Sequence, residues 1–241
     1  MKLISLNIEL NKHLDLIFPF LQKEKPDVLC LQEVLEEDIP KIQELLNYDV
    51  IFKPCSYATN EYYLAQRGKR LGVAIFAKKI NSSGFDYYVG KEENINKPFS
   101  EYNKEDKNKV VVWVDIFDEK NNLFKIATTH LPVTDAGEST PYQLMTAESL
   151  LKSLEKFDEI ILCGDMNAPR GNKTFTLLNS KYADNIPFEY KTSIDQNIHR
   201  VHGLMYMVDC LFTTPAYKTS DVKLVDGLSD HMAIVANIEK K

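Results

Sequence analysis

The chain has 241 residues, 44% hydrophobic and 27% charged, ordinary proportions for a soluble globular protein able to bury a sizeable core. Its formal net charge of −6 excludes a broadly basic surface that coats nucleic acid, but not a nuclease that places a few cations locally or uses a metal's charge. The longest apolar runs, residues 110–114 and 160–163, fall far short of the roughly 20 residues a membrane-spanning helix needs. The opening MKLISLNIEL carries one Lys and an early Asn with no small-residue cleavage site, so this stretch is not expected to act as a signal peptide and a cytoplasmic location is expected. Cys30, Cys55, Cys163 and Cys210 show no metal-ligand spacing, and three sit in apolar strand-like runs; all four are expected to be free in a reducing compartment.

In chain order, residues 2–8 read as a strand carrying Asn7 at its end, and residues 11–23 as a helix with a stripe at Leu14, Ile17, Phe18 and Leu21, stopped by Pro26. Residues 28–32 form a short buried strand followed directly by Glu33, whose bland alternative is a dipole-complementing acid before a helix at 36–46. Residues 48–52 and 71–78 are strand-like. Between them, residues 53–70 are polar and aromatic without a clear period, a surface loop or a substrate-facing one. Residues 85–89 suggest another strand, and residues 91–109 a charged, Asn-rich, structureless connection or lid. Residues 110–117 and 123–129 form a hairpin around DEKNN, with His130 at its exit.

A long helix at 139–157 leads into EIILCGDMNAPR, residues 159–170, where four apolar residues make a buried strand broken by Gly164. Asp165 and Asn167 stand two apart and face the same way if the strand persists; an Asx-rich turn is the alternative. Residues 174–178 read as a short helix and residues 191–203 as a polar loop. Residues 204–213 read as a strand with Asp209 in its middle, where an unpaired carboxylate is costly and needs a cation or a donor. Further strands are expected at 222–225 and 232–238, the last preceded by Ser229, Asp230 and His231. With no repeat and no Pro-, Gly- or Ser-rich linker, residues 1–241 are expected to form one α/β domain of two packed sheets flanked by helices.

Asn7, Glu33, His130, Asp165 with Asn167, Asp209, and Asp230 with His231 thus lie at or near strand ends. Such an oxygen-rich, Cys-free set suits a hard cation, Mg2+ or Mn2+, and the hydrolysis of a phosphate ester. In that chemistry Glu33, with help from Asn7 and Asp230, binds the metal. Asp165 positions or deprotonates water, Asn167 donates to the pentacoordinate oxygens, and Asp209 holds His231 charged.

The ordered motifs SLNIE, LQEV, THLP, GDMNAP, MVDCLF and SDHMAI, running from residue 5 to 234, resemble the endonuclease/exonuclease/phosphatase superfamily that includes deoxyribonuclease I. The resemblance implies a four-layer α/β sandwich with two packed mixed β-sheets. It places Asn7, Glu33 and Asp230 on metal-site positions, Asp165 and Asn167 on the water-activating and transition-state-binding pair, and Asp209 and His231 on the Asp–His pair at the phosphate. His130 falls where deoxyribonuclease-like members carry a phosphate-contacting His and abasic endonucleases usually a Tyr. The implied activity is a metal-dependent phosphodiesterase with nucleic acid as its first substrate class. Alternatives are a hydrolase for a small phosphorylated metabolite or lipid headgroup, and a silent binding module, which should have lost some of these acids. The cations to examine for phosphate contact are Arg70, Arg170, His199 and Arg200, each with a surface salt bridge as the favoured alternative; no obligate protein partner is evident.

Overall fold

The computed structural model describes residues 1–59, 61–103 and 108–241, without the side chains of residues 61–63. Residue 60, the Tyr62 and Tyr63 side chains and residues 104–107, parts of the two central loops singled out in the sequence, lie outside the described residues. Strand β1 (Lys2–Asn7) leads through α1 (Leu14–Glu24) to β2 (Val28–Leu35), then through a 3-10 turn and α2 (Ile39–Leu46) to β3 (Asp49–Tyr57), β4 (Arg70–Ala77) and β5 (Ser82–Val89). A short α3 (Glu92–Asn96) precedes β6 (Lys109–Phe117), β7 (Leu123–His130), α4 (Pro141–Leu154), β8 (Ile161–Asp165) and α5 (Lys173–Asn179). The chain ends with β9 (Ala183–Asp184), β10 (Asp209–Thr213), β11 (Tyr217–Val225) and β12 (Ala233–Lys240).

The strands form two six-stranded mixed sheets, ordered β11-β12-β1-β2-β4-β3 and β5-β6-β7-β8-β10-β9. Alternation along the strands sorts the apolar side chains into three cores. Leu3, Val28, Cys30, Ile126, Ile161 and Cys163 face inward between the sheets. Ile4, Leu6, Leu29 and Leu31 point the other way and bury Ile17 and Leu21 of α1 and Ile42 of α2. Ala127, Leu162 and Phe212 on the outer face of the second sheet cover Leu150 and Leu154 of α4 and Phe175 of α5. Helices, sheet, sheet and helices are the four expected layers. All four cysteines are free and buried.

Each sheet has one parallel pair that matters for function, β1 with β2 and β7 with β8. Their carboxyl ends, where ligands gather in α/β sheets, lie at the same end of the sandwich. Gly164 makes the second pair possible. Its φ is +136°, and a Cβ there would sit 2.2 Å from the Thr129 carbonyl oxygen.

Several expected elements shift. Glu33 does not follow β2 but lies inside it, at a register shift between Leu31 and Val34 and with φ of +57°. Asp209 opens β10 rather than sitting mid-strand, because residues 204–208 are drawn off into loop pairing. There the Tyr206 carbonyl accepts from Ser193 N–H at 3.0 Å and the Val208 carbonyl from Met166 N–H at 2.9 Å. The stretch 91–109 is not structureless, since α3 and a 3-10 turn at Phe99–Glu101 occupy part of it. Likewise β3 extends to Tyr57, and a 3-10 helix fills Glu61–Gln66 of the expected loop. The helix expected at 139–157 begins only at Pro141, where the Thr140 hydroxyl caps it by accepting from Gln143 N–H at 3.2 Å.

Candidate active site

The parallel pairs set the site's register. β7 aligns His130 with Asp165, and antiparallel β10 aligns Asp209 with the same Asp165. From the other sheet, Asn7 at the end of β1 aligns with Gln32, one residue before the Glu33 bulge. Asp230 and His231 arrive just ahead of β12. They are held by a loop whose buried Asp195 accepts from the N–H groups of Asn197, Ile198 and Gly227 at 2.8, 3.1 and 2.6 Å. That loop also pairs its backbone with the segment, Asp195 N–H to the Asp230 carbonyl at 2.9 Å and Met232 N–H to the Ser193 carbonyl at 2.7 Å.

Asp165 is the hub. Its Oδ1 accepts from Asn167 N–H at 2.8 Å, an Asx turn in which Asn167 takes φ of +47°. The turn and the shared orientation posed as alternatives in the sequence are therefore one structure: the turn brings the Asn167 carboxamide back over the carboxylate. Asp165 Oδ2 lies 3.1 Å from Asn7 Nδ2, 3.4 Å from His130 Nε2 and 3.8 Å from His231 Nε2. His231 Nδ1 is 2.8 Å from Asp209 Oδ2, and Asn167 Nδ2 sits 2.9 Å from His130 Nε2. The backbone N–H groups of Val208 and Asp209 both donate to Ser193 Oγ at 3.1 Å, pinning the start of β10.

Full burial works to raise the Asp165 carboxyl, but His231, His130 and the Asn167 amide outweigh it and hold it below its ordinary range. Burial opposes a charged His231 as well, yet Asp209 and Asp165, then Asp230, lift it well above its ordinary value. Burial pushes Asp209 up in spite of His231. Among the described residues, the ligand atoms of Asp165, Asp209 and His231 lie within 4.8 Å of one another. They satisfy each other as an acid–imidazole–acid line, which leaves them poor candidates for a metal.

A second group of acids offers oxygen alone. Burial pushes Asp230 up to about 6, with Glu9 and Glu33 adding repulsion against the opposing pull of His231. Asp230 and the half-buried Glu33 offer oxygen alone, and their mutual repulsion is what a hard divalent cation offsets, so these two residues fit one, whereas both Glu9 oxygens are already paired with Lys12 and His13. Asn7 enters differently from its expected metal position. It presents Nδ2 to Glu33 Oε1 at 3.3 Å and to Asp165, while its oxygen accepts from Glu9 N–H at 3.1 Å. It bridges the two groups of acids.

Glu9 escaped the sequence reading. It is buried, has φ of +47°, and binds Lys12 Nζ at 2.6 Å and His13 Nε2 at 2.9 Å. Its signal was position, two residues after Asn7 in SLNIE. Glu9, Leu10, Glu33 and Asn167 are all non-glycine residues at positive φ, a concentration of backbone strain typical of functional sites. Gln32 was also missed. Its Nε2 donates across the sheet interface to Thr128 Oγ1 at 2.8 Å, directly behind the site.

Of the four cations proposed for phosphate contact, two are tied to the scaffold. Arg70 forms a two-pronged pair with Glu36 at 2.7 and 2.6 Å. Arg170 pairs with Asp184 at 2.8 Å, donates to the Ile186 carbonyl at 2.8 Å and lies over the Phe188 ring. His199 Nδ1 accepts from Val201 N–H at 3.0 Å within its own loop. Arg200 is exposed on the same loop. No helix among the described residues is long and apolar enough to cross a membrane.

The fold recurs in solved structures. The human Nocturnin catalytic domain, with bound sulfate, superposes with a TM-score of 0.77 at 17% identity over 100% of this chain and 93% of that one. A mannosyl-6-phosphatase of Bacteroides thetaiotaomicron VPI-5482 gives 0.70 at 14% identity, covering 99% of each chain. A humanized TDP2 of D. rerio gives 0.63 at 15%, covering 100% of this chain and 99% of that one. These identities establish the fold alone. No curated protein matches the chain in sequence. The profile of the Endonuclease/Exonuclease/phosphatase family matches residues 4–231, and the strand-end constellation falls within that span, so the chain belongs to this family.

Proposed function

We propose that the chain hydrolyses phosphodiester bonds with a divalent metal, Mg2+ or Mn2+, by in-line attack of water. The observation that carries this reading is the line Asp209–His231–Asp165, with His130 and Asn167 on its flank and the acids Glu33, Asp230 and Glu9 beside it. A cation held by Glu33 and Asp230, with Glu9 close by, would supply electrophilic polarisation of a phosphoryl oxygen and offset charge on the leaving group. Asp165, kept ionised, aligns the attacking water and accepts its proton as the bond to phosphorus forms. His231, kept charged by Asp209, binds a non-bridging oxygen, and Asn167 and His130 donate to the oxygens of the pentacoordinate state. Asn7 holds Asp165 and Glu33 in mutual register.

Nucleic acid is the first substrate class under this reading. A second reading, a hydrolase for small phosphorylated compounds, is favoured by the engagement of Arg70 and Arg170 in ion pairs of the scaffold, which takes two of the four candidate phosphate-contacting cations away from a long polyanion.

The test is hydrolysis of bis-p-nitrophenyl phosphate and of p-nitrophenyl phosphate with Mg2+, Mn2+ or EDTA, beside Asp165→Asn. We expect metal-dependent cleavage of the diester, lost in EDTA and lowered about 10²–10⁴-fold in the variant. Cleavage of the monoester alone favours the second reading. Silence toward both, with the protein folded, overturns the proposal.

A further inference from the structure

Next to the Asp165 hub lies a cavity of about 410 Å3 with Leu10, Tyr57, Leu71, Tyr102, Pro132 and Val133 among its walls, and Glu33 and His130 line it too. The cavity therefore shares two residues with the candidate site. Its apolar walls are built in advance. The Tyr57 hydroxyl donates to the Lys97 carbonyl at 2.7 Å, and its ring packs against Phe99 at 5.4 Å and, edge-on, against Tyr102 at 5.0 Å. Asn108, also in the lining, is fixed by accepting from Lys91 N–H at 3.0 Å and donating to the Lys91 carbonyl at 2.7 Å. A preformed, mainly apolar pocket with a few convergent polar groups is the usual form of a small-ligand site, and its volume lies at the lower end of that range.

Charge points the same way. Long nucleic acids are held by many Lys and Arg contacts to successive phosphates. Lys109 is the one Lys or Arg among the described residues lining this cavity, and the chain's net charge is −6. A cavity of about 410 Å3 has room for one ring between its aromatic and aliphatic faces. Every aryl group and every nucleobase offers such a face.

We propose that this cavity binds the non-phosphate group of the substrate, a single compact planar ring system carried by the group that is esterified to the attacked phosphate. The inference rests on the phosphoester reading of the Asp165 site and names the group that the site selects. Tyr57, Tyr102 and Val133 become its specificity residues. The interior of a base-paired duplex, whose bases are stacked and unavailable, is a poor fit.

The test is calorimetric titration of the Mg2+-saturated protein with inorganic phosphate, methyl phosphate, phenyl phosphate, ribose 5-phosphate and adenosine 5′-monophosphate. We expect phenyl phosphate to bind about tenfold more tightly than methyl phosphate, and Val133→Trp to bring that ratio to about one by filling the cavity mouth. Val133 is 78% exposed, so the variant leaves the cores intact. A larger gain from ribose 5-phosphate to the adenosine ester than from methyl to phenyl identifies the ring as a nucleobase; the reverse identifies an aryl group. Equal affinities for methyl and phenyl phosphate, with inorganic phosphate bound, overturn the cavity's role alone. A preference that survives Val133→Trp does the same. Failure of every phosphate to bind overturns the phosphoester reading and this inference together.

Discussion

The 2.8 Å contact between His231 Nδ1 and Asp209 Oδ2 joins the two sheets at the point where the chemistry is proposed. Because Nδ1 is engaged, Nε2 faces Asp165 and any phosphoryl oxygen near it. Asp209→Asn should therefore lower diester hydrolysis and also destabilise the fold by about 3–5 kcal/mol, the cost of breaking a buried pair from one side. Asp209→Asn with His231→Gln should cost less than the sum of the single changes in both readouts. Strict additivity in urea unfolding and in kcat would show that the two residues do not act as a unit.

Metal should stabilise the protein through the second group of acids. A ligand that binds the folded chain raises the melting temperature as its concentration exceeds Kd. Wild-type Tm should climb between micromolar and millimolar Mg2+ or Mn2+, and the climb should shrink in Glu33→Gln and Asp230→Asn. Removing a repelling carboxylate should leave both variants at least as stable as wild type in EDTA. An equal metal-induced rise in all three proteins would place the cation elsewhere.

Gly164 is a steric prerequisite for the site. Adding one methyl group at Gly164 meets the Thr129 carbonyl at 2.2 Å and must part β7 from β8, the pair that sets His130 beside Asp165. Gly164→Ala should cost on the order of 2–3 kcal/mol and reduce kcat more than KM. Wild-type stability and turnover in this variant would mean that the strands are not so closely apposed.

Stability should also report on Asp27, far from the acids of the site. Burial tends to raise this carboxyl, but the Lys78 ammonium and the Lys2 N–H, at 2.7 Å, outweigh it and hold it below its ordinary value. A depressed folded value contributes stability that is present above the unfolded pKa and is lost as pH falls through the folded one. The urea midpoints of wild type and Asp27→Asn should therefore differ slightly near pH 7 and converge as the pH falls below the ordinary carboxylate range. The difference is small because the carboxylate is 36% exposed. A gap that widens on acidification would contradict the sign.

The sequence revealed side chains placed by strand ends more readily than those placed by turns. Asp165 and His130 stand where buried strands stop and His231 just before one starts, and a run of β-branched residues announces its own limits. Glu9 and the bulge at Glu33 depend on positive φ at residues of ordinary type, for which no local composition signal exists. Asp209 looked central because VDCLF extends the apolar pattern of MYM. Only the distant partners Ser193 and Met166 show why the strand begins at Asp209. Arg70 and Arg170 do form the salt bridges weighed as the alternative to phosphate contact, but Glu36 and Asp184, the acids that hold them, lie 34 and 14 residues away in the chain and could not be named from local sequence.

The pairing of β12 with β1, Lys2 opposite Asn237, has a consequence for the order in which the protein is made. His231 lies just ahead of β12, so residues 1–230 must all be synthesised before the imidazole can meet Asp209. β1 must wait for β12 to be covered on that edge, a pairing of high sequence separation that folds late. On the proposed mechanism, a growing or truncated chain would be inert toward phosphoesters, and hydrolytic competence would appear only when the sandwich is closed.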